Sequence, residues 1–342
     1  MELSWLMRLR IAAAFGIGAV LIGVLAWPMV AHATPFDAVS FAGGTVSAGD
    51  AMILAVLAFL AAVVAYFVCW PWGREIGVIA APAGLAIWAI RSGNMGNLII
   101  ENPSLEQQAV LFDALRFEPL AWLAVVAAGF AGVGLCELFL RGQAKETAAG
   151  ERIGQAGVPS PNVYAFGAIL DKLAWLRDKM QQSRASKGVD GRRSKGNKYL
   201  NGFLAVLASV LIAQFCIRIF AQDRPAGDQQ MGLVAAQPAI GQIVFGVWIS
   251  FGIAAFAVKR FLGAGYIWPT IASGVVTAFG IFTYMKHDML VYLVEHWPPV
   301  FYSNAIISIL PVQMVAFGVL GSIWGYWLAV RYSYWREHGQ SE

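Results

Sequence analysis

The chain has 342 residues, of which 58% are hydrophobic and 13% are charged, and its formal net charge is +4. Soluble domains carry about 25% charged residues, so this composition excludes an ordinary water-soluble fold. The charged residues cluster in short segments, and most of the apolar runs between them approach or exceed the length of about 20 residues that crosses a bilayer. Because every backbone N–H and C=O must be paired inside such a run, the runs are predicted to be helices.

Eight apolar runs are predicted to be membrane spans, so the expected fold class is an all-α, polytopic membrane helix bundle with eight transmembrane helices. In chain order the runs are Ile11–Val30, Ala51–Trp70, Ile76–Ile90, Pro119–Leu140, Asn201–Ala221, Ile240–Val258, Tyr266–Met285 and Ala305–Val330. The third is the shortest, and it reaches further if the Arg91 side chain extends to the interface and the helix continues toward Met95.

Lysine and arginine set the expected orientation, because cytoplasmic loops carry an excess of both. Of the 24 lysines and arginines, 19 fall on the side of the N-terminus: seven in the chain ends and short turns, and twelve between Arg141 and Lys198. The remaining five lie on the other side. Both termini are therefore expected in the cytoplasm and the spans in the inner, or plasma, membrane, with the lipid bilayer as the first partner.

The first apolar run admits two interpretations. Arg8 and Arg10 precede it and Ala31-His32-Ala33 follows it, which is the pattern of a signal peptide with its cleavage site. The run is long for a signal, whose apolar part normally has about 7–15 residues. A retained first span is preferred, because an internal repeat gives it a counterpart.

The eight spans form two sets of four, with each span of the second set about 190 residues after its counterpart. Matching residues are Pro82 with Pro269, and Gly129 and Gly132 with Gly318 and Gly321. A tandem duplication is therefore predicted, although any eight-helix chain can be divided in two. Because four is an even number, the halves would point the same way and be related by a pseudo-two-fold axis along the membrane normal.

The predicted organisation has three parts. Residues 1–141 form the first four-helix half, residues 142–198 a basic cytoplasmic linker, and residues 199–342 the second half. Within the linker, residues 162–182 carry apolar side chains at steps of three and four, which predicts an amphipathic helix on the inner membrane surface. The basic run that follows fits the orientation rule and lacks interleaved aromatic residues, so no nucleic-acid partner is expected.

Charged residues inside a membrane are functional candidates, and this chain has almost none at mid-depth. The third and seventh spans carry another signal, a proline each, which is expected to bend the helix and free a backbone carbonyl. Paired short or proline-interrupted helices in two repeats point to a transport site, and basic groups at its outer mouth would suit an anionic solute. The predicted substrate-binding residues are Pro82, Arg91, Pro269, Lys286, His287 and Asp288.

Motifs for catalysis and cofactors are missing from the sequence. No spacing of Cys69, Cys136 and Cys216 fits a metal site, and no hydrolase or nucleotide-binding motif occurs. No catalytic residue, metal or cofactor is therefore predicted, and the chain is not expected to be an enzyme. The alternative is haem b held between His32 and His287, each of which ends a span on the outer side.

Two functions fit these observations. The first is a small-solute permease with its site between the two halves, near the third and seventh spans. The second is a non-catalytic membrane subunit or scaffold of a larger complex, with other membrane subunits as partners, which fits the scarcity of buried polar groups and the 13 tryptophans. A water-filled cavity lined by polar groups would favour the permease, and a closed apolar bundle would favour the subunit.

Overall fold

The computed structural model describes residues 5–30, 38–153, 197–221, 224–228, 232–236, 238–296 and 305–338. In the first half the helices are α1 (Trp5–Gly18), α2 (Trp27–Val30), α3 (Ala48–Val68), α4 (Gly73–Ile76), α5 (Ala80–Arg91), α6 (Met95–Glu101), α7 (Leu105–Leu115) and α8 (Glu118–Ile153). In the second half they are α9 (Asn197–Phe220), α10 (Ile240–Leu262), α11 (Ile267–Tyr284), α12 (His287–His296) and α13 (Pro311–His338).

A short hairpin lies between α9 and α10. Strand β1 (Arg224–Asp228) pairs antiparallel with strand β2 (Gly232–Ala236), with Arg224 opposite Ala236. The hairpin falls in a predicted loop outside the apolar runs, so the membrane-spanning part of the described chain remains helical.

The predicted multi-pass membrane helix bundle is confirmed in one respect: the chain forms several apolar helices that are long enough to cross a membrane. Within the described ranges, seven helical segments are long and apolar enough to cross a membrane: Trp5–Val30, Ala48–Val68, Gly73–Arg91, Leu105–Leu140, Leu200–Phe220, Ile240–Leu262 and Pro311–Arg336. The predicted span Tyr266–Met285 forms α11, whose apolar part, Ile267–Thr283, is shorter than the others.

Some predicted boundaries are wrong. The last span begins at Pro311 and not at Ala305, because proline favours the first turn of a helix and residues 305–309 form buried turns instead. The third span begins with α4 and a 3₁₀ turn, Gly77–Ile79, before α5. Here Gly73 lies so close to α3 that an added methyl group would be 2.2 Å from the carbonyl oxygen of Tyr66.

The two halves belong to one compact unit, and residues 138–200 form a second one. The predicted linker helix at residues 162–182 lies outside the described residues. Within the first unit, α13 packs against α10, α5 and α11, so the last span contacts helices of both halves. The third and last spans are also the most buried of the seven apolar segments.

One helix contact occurs in both halves at matching positions. A methyl group on Gly132 in α8 would lie 2.8 Å from the carbonyl oxygen of Phe59, and one on Gly321 in α13 would lie 2.2 Å from that of Trp248. Both pairs are separated by the same 189 positions, from 132 to 321 and from 59 to 248. Each half thus joins its second and fourth spans through a glycine that lets the backbones touch.

Candidate functional site

The two predicted prolines lie at equivalent positions and are both buried. Pro82 is the third residue of α5, and Pro269 is the third residue of α11. In α11 the N–H groups of the first turn have no partner inside their own helix, so Pro269 removes no intrahelical hydrogen bond and the predicted bend and freed carbonyl do not follow there. Pro82 is different, because α4 and the 3₁₀ turn Gly77–Ile79 continue directly into α5 and place it inside a longer helical segment.

Arg91 lies at the exposed end of α5 and contacts the first span. Its guanidinium carbon is 4.2 Å from the centre of the Trp27 ring, and Nη1 is 3.5 Å from the carbonyl oxygen of Gly23. Trp88 donates from Nε1 to the carbonyl oxygen of Ile22 at 2.6 Å. These carbonyls belong to a π-helical stretch, Ala19–Leu25, so α5 supplies donors to the irregular part of the first span.

Lys286, His287 and Asp288 are exposed at the start of α12. Helix α12 packs against α7 of the first half. The described contacts of Arg91 are with the first span. The predicted site residues therefore do not share one set of neighbours. The two prolines are buried, Arg91 contacts the first span, and Lys286, His287 and Asp288 lie at the start of α12.

The predicted haem alternative needs His32, which lies outside the described residues. Among the residues that the structure does describe, no group of three His, Cys, Asp or Glu side chains is arranged to hold a metal ion.

The Gln313 side chain, which is 1% exposed, joins the two halves. Its Nε2 donates to the carbonyl oxygen of Ala89 at 3.2 Å, and its Oε1 accepts from the N–H of Leu310 at 3.1 Å. Ala89 is in the last turn of α5, and Leu310 immediately precedes α13. One amide therefore satisfies a carbonyl at the end of one helix and an N–H at the start of another, which neither helix can pair itself.

Buried hydroxyl groups of the second half bond back to their own helices. Ser250 donates to the carbonyl oxygen of Gly246 at 2.5 Å, Ser273 to that of Thr270 at 2.7 Å, and Ser322 to that of Gly318 at 2.7 Å. A hydroxyl donor used in this way is not available to a solute. Thr270 is different, because its Oγ1 is buried without a hydrogen-bond partner.

A cavity of about 570 Å³ lies away from the predicted site, at the junction of the loop before α3, the start of α3 and α8. Its lining residues are Phe41, Gly44, Val46, Ser47, Ala48, Ala51 and Ala121. The Ser47 hydroxyl already donates to Asp50 and accepts from its N–H, in a capping box that starts α3. The cavity is therefore lined mainly by apolar groups.

Glu118, the first residue of α8, forms a buried polar site that the sequence analysis missed. Its side chain is 4% exposed and accepts from Ser40 Oγ at 2.5 Å, from the N–H of Ala42 at 3.1 Å and from Trp122 Nε1 at 2.9 Å. The carboxyl group thus holds the loop before α3 against α8. Nothing in the sequence distinguishes it from an interfacial acid, except that Trp122 follows one helical turn later.

Replacing Glu118 with alanine is expected to leave three buried donors unsatisfied and to lower the free energy of unfolding by about 3 kcal/mol, since each such group costs about 1–3 kcal/mol. The measurement is the thermal unfolding midpoint of the purified protein in detergent. Glu106→Ala, at an exposed position of α7, is the matched control and should change little. We call this contact of Glu118 with the loop before α3 the Glu118 clamp. Equal unfolding midpoints for Glu118→Ala and Glu106→Ala would contradict it.

The chain matches no protein family, no curated protein and no solved structure. What it does is therefore inferred from its own geometry.

Proposed function

We propose that the chain is an eight-span protein of the inner, or plasma, membrane, with both termini in the cytoplasm, that acts as a non-catalytic subunit or scaffold of a larger membrane complex. The observation that carries this proposal is the helix packing at the boundary between the halves. Helix α13 packs against both α5 and α11, in the region where a permease would need a solute path.

The eighth span in this proposal is α11. It has 18 residues, and at 1.5 Å per residue it is about 27 Å long, close to the hydrocarbon thickness of about 30 Å. Tyr266 and Met285 flank it, and a modest mismatch is accommodated by local thinning of the bilayer.

The tandem repeat is supported by contacts within and between the halves. The Gly132–Phe59 and Gly321–Trp248 contacts repeat at one offset, and both prolines stand third in their helices. Between the halves, α5 packs on α13, and α8 packs on α11, where a methyl group on Gly274 would lie 2.5 Å from Leu123. A two-fold axis exchanges these two pairs, as it also exchanges α7 and α12, which touch each other.

A subunit needs a face for its partner, and α8 offers one. Ala124, Ala127 and Ala131 are exposed on this helix, between Leu120 at 63% and Leu135 at 57% exposure. Small residues allow a second membrane helix to approach closely. We therefore place the partner contact on this alanine face, defined by the three alanines.

The test is purification from the native membrane in a mild detergent. We expect a complex with a partner in fixed ratio. Ala127→Trp should release that partner, whereas Val56→Trp, at a large residue of α3 that is 57% exposed, should retain it. Recovery of the chain alone under all conditions, or partner loss with both variants, would count against the scaffold.

The permease is the second candidate, and the 3₁₀ turn that precedes the buried Pro82 in the third span favours it, because it interrupts the α-helix there. Its test is uptake of anionic solutes by liposomes containing only this protein. Uptake that exceeds that of empty liposomes and falls with Arg91→Gln or Lys286→Gln would support the permease and reject the scaffold.

The proposed topology predicts which single cysteines react with an impermeant reagent in sealed cells, after Cys69, Cys136 and Cys216 are replaced by alanine. Cysteines at positions 106 and 288 should react, and those at 186, 265 and 341 should not. Positions 265 and 288 flank α11, so equal reactivity there would show that α11 does not cross. Reaction at 186 would overturn the orientation.

A further inference from the structure

Polar side chains of both halves converge where α8, α11 and α13 approach one another, near Arg74 of α4 and Lys259 in the last turn of α10. The Tyr266 ring lies 5.8 Å from that of Phe130 in α8 and 5.5 Å from that of Tyr326 in α13. Lys259 Nζ is 5.0 Å from the centre of the Tyr326 ring. We call Arg74, Lys259, Tyr266 and Tyr326 the tyrosine cluster.

Arg74 belongs to the tyrosine cluster through α8, because Phe130, which contacts Tyr266, and Glu137 lie two turns apart on the same face of that helix. Arg74 Nη1 pairs with Glu137 Oε1 of α8 at 3.0 Å. With Arg260 beside Lys259, the region holds three cations and two carboxylates. The region therefore has a net positive charge, and two of its three cations are not used in the ion pair between Arg74 and Glu137.

The tyrosine cluster is half-buried and has an apolar rim. Lys259, Tyr266 and Tyr326 are all partly covered by neighbouring helices. Around them, Phe261 is 82% exposed and Trp72 is 47% exposed, and aromatic side chains of this kind anchor at the membrane boundary. Cationic and hydroxyl groups framed by exposed apolar side chains match a ligand that has a charged head and apolar tails.

The start of α11 supplies further donors. Tyr266 is its N-cap residue and makes no capping hydrogen bond with its side chain, and backbone N–H groups at a helix start favour an anion. Thr270, four residues on and so on the same side of the helix, is 4% exposed, and its Oγ1 lacks a hydrogen-bond partner. This buried hydroxyl without a protein partner is a second, independent sign of a polar ligand on this side of α11.

We propose that the tyrosine cluster binds the phosphate of an anionic membrane lipid, with the Lys259 ammonium, the Arg74 guanidinium and the two tyrosine hydroxyls as donors. The lipid tails then lie against the apolar rim. The proposal goes beyond the scaffold function and rests on the proposed crossing of α11, which the cysteines at positions 265 and 288 test separately.

The experiment is native mass spectrometry of the full chain with added phosphatidylglycerol or phosphatidylcholine. We expect one phosphatidylglycerol retained in preference to phosphatidylcholine. Lys259→Gln should lower that retention about fivefold, since a basic residue near anionic lipid contributes about this factor. Tyr266→Phe should also lower it, because it removes a hydroxyl donor and keeps the ring contacts.

Arg336→Gln is the matched control, because it removes one exposed charge from the same end of the bundle and should leave retention unchanged. An equal loss of phosphatidylglycerol retention in Arg336→Gln would show that any positive charge at this end of the bundle has the same effect, and would overturn the proposed site. Displacement by inorganic phosphate at equal concentration would also overturn it, because the tails would then contribute nothing. Unchanged retention in both Lys259→Gln and Tyr266→Phe, with unfolding midpoints like the wild type, would reject the donors.

Discussion

Replacing Gly321 with alanine is expected to destabilise the protein by about 3 kcal/mol or more, at the upper end of the cost of overpacking a core. The added methyl group would lie 2.2 Å from the carbonyl oxygen of Trp248 and 3.2 Å from the backbone nitrogen of Gly252. Both are backbone atoms of α10, so no side chain can move aside, and α10 and α13 must separate.

The measurement is the thermal unfolding midpoint in detergent, and Gly134→Ala in α8 is the matched control. Nothing lies within 4 Å of a methyl group added there, and alanine is favoured over glycine inside a helix by about 1 kcal/mol. The two substitutions should therefore act in opposite directions. Gly132→Ala should follow Gly321→Ala with a smaller effect, since its nearest carbonyl is 2.8 Å away. A neutral Gly321→Ala would refute the close contact of α10 and α13.

Replacing Gln313 with leucine is expected to cost about 3 kcal/mol, although leucine has a similar volume. The change removes both hydrogen bonds of the amide and leaves the carbonyl of Ala89 and the N–H of Leu310 buried without partners, at about 1–3 kcal/mol each. The unfolding midpoint should fall, and Gln313→Glu should not restore it, because a carboxylate cannot donate to the Ala89 carbonyl.

Gln107→Leu separates this effect from the loss of any glutamine. Gln107 makes an exposed capping bond with Ser104 at 3.3 Å, whose loss costs about 1 kcal/mol or less. If Gln313→Leu proves no more harmful than Gln107→Leu, then the amide does not join the halves, and the boundary between them loses its polar support.

The apolar runs predicted most of the membrane helices because length and hydropathy decide whether a segment can cross a bilayer. Ser104 followed three residues later by Gln107 is the sequence pattern of a capping box, and the structure has this box at the start of α7. Boundaries were less accurate, since helices such as α8 continue beyond the hydrocarbon, to Ile153. Hydropathy carries no information on where a helix ends in water.

The candidate site was much less predictable. The prolines were expected to bend their helices, but the effect of a proline depends on where its helix begins, and hydropathy could not place the start of α5 or α11. Glu118 was overlooked because its burial depends on Ser40, which is distant in sequence. Gln313 is buried by α5, and one sequence gives no sign that α13 contacts that helix.

The Glu118 clamp shows what the proposed joining of two repeats in one chain would permit. In a symmetric dimer of identical four-helix chains, a buried carboxyl group would occur twice and its helices would have to tolerate it twice. Here the position 189 residues after Glu118 is Ile307, which is 1% exposed. In the proposed duplication each copy is free to change alone, so that one copy holds a polar clamp where the other holds an apolar core.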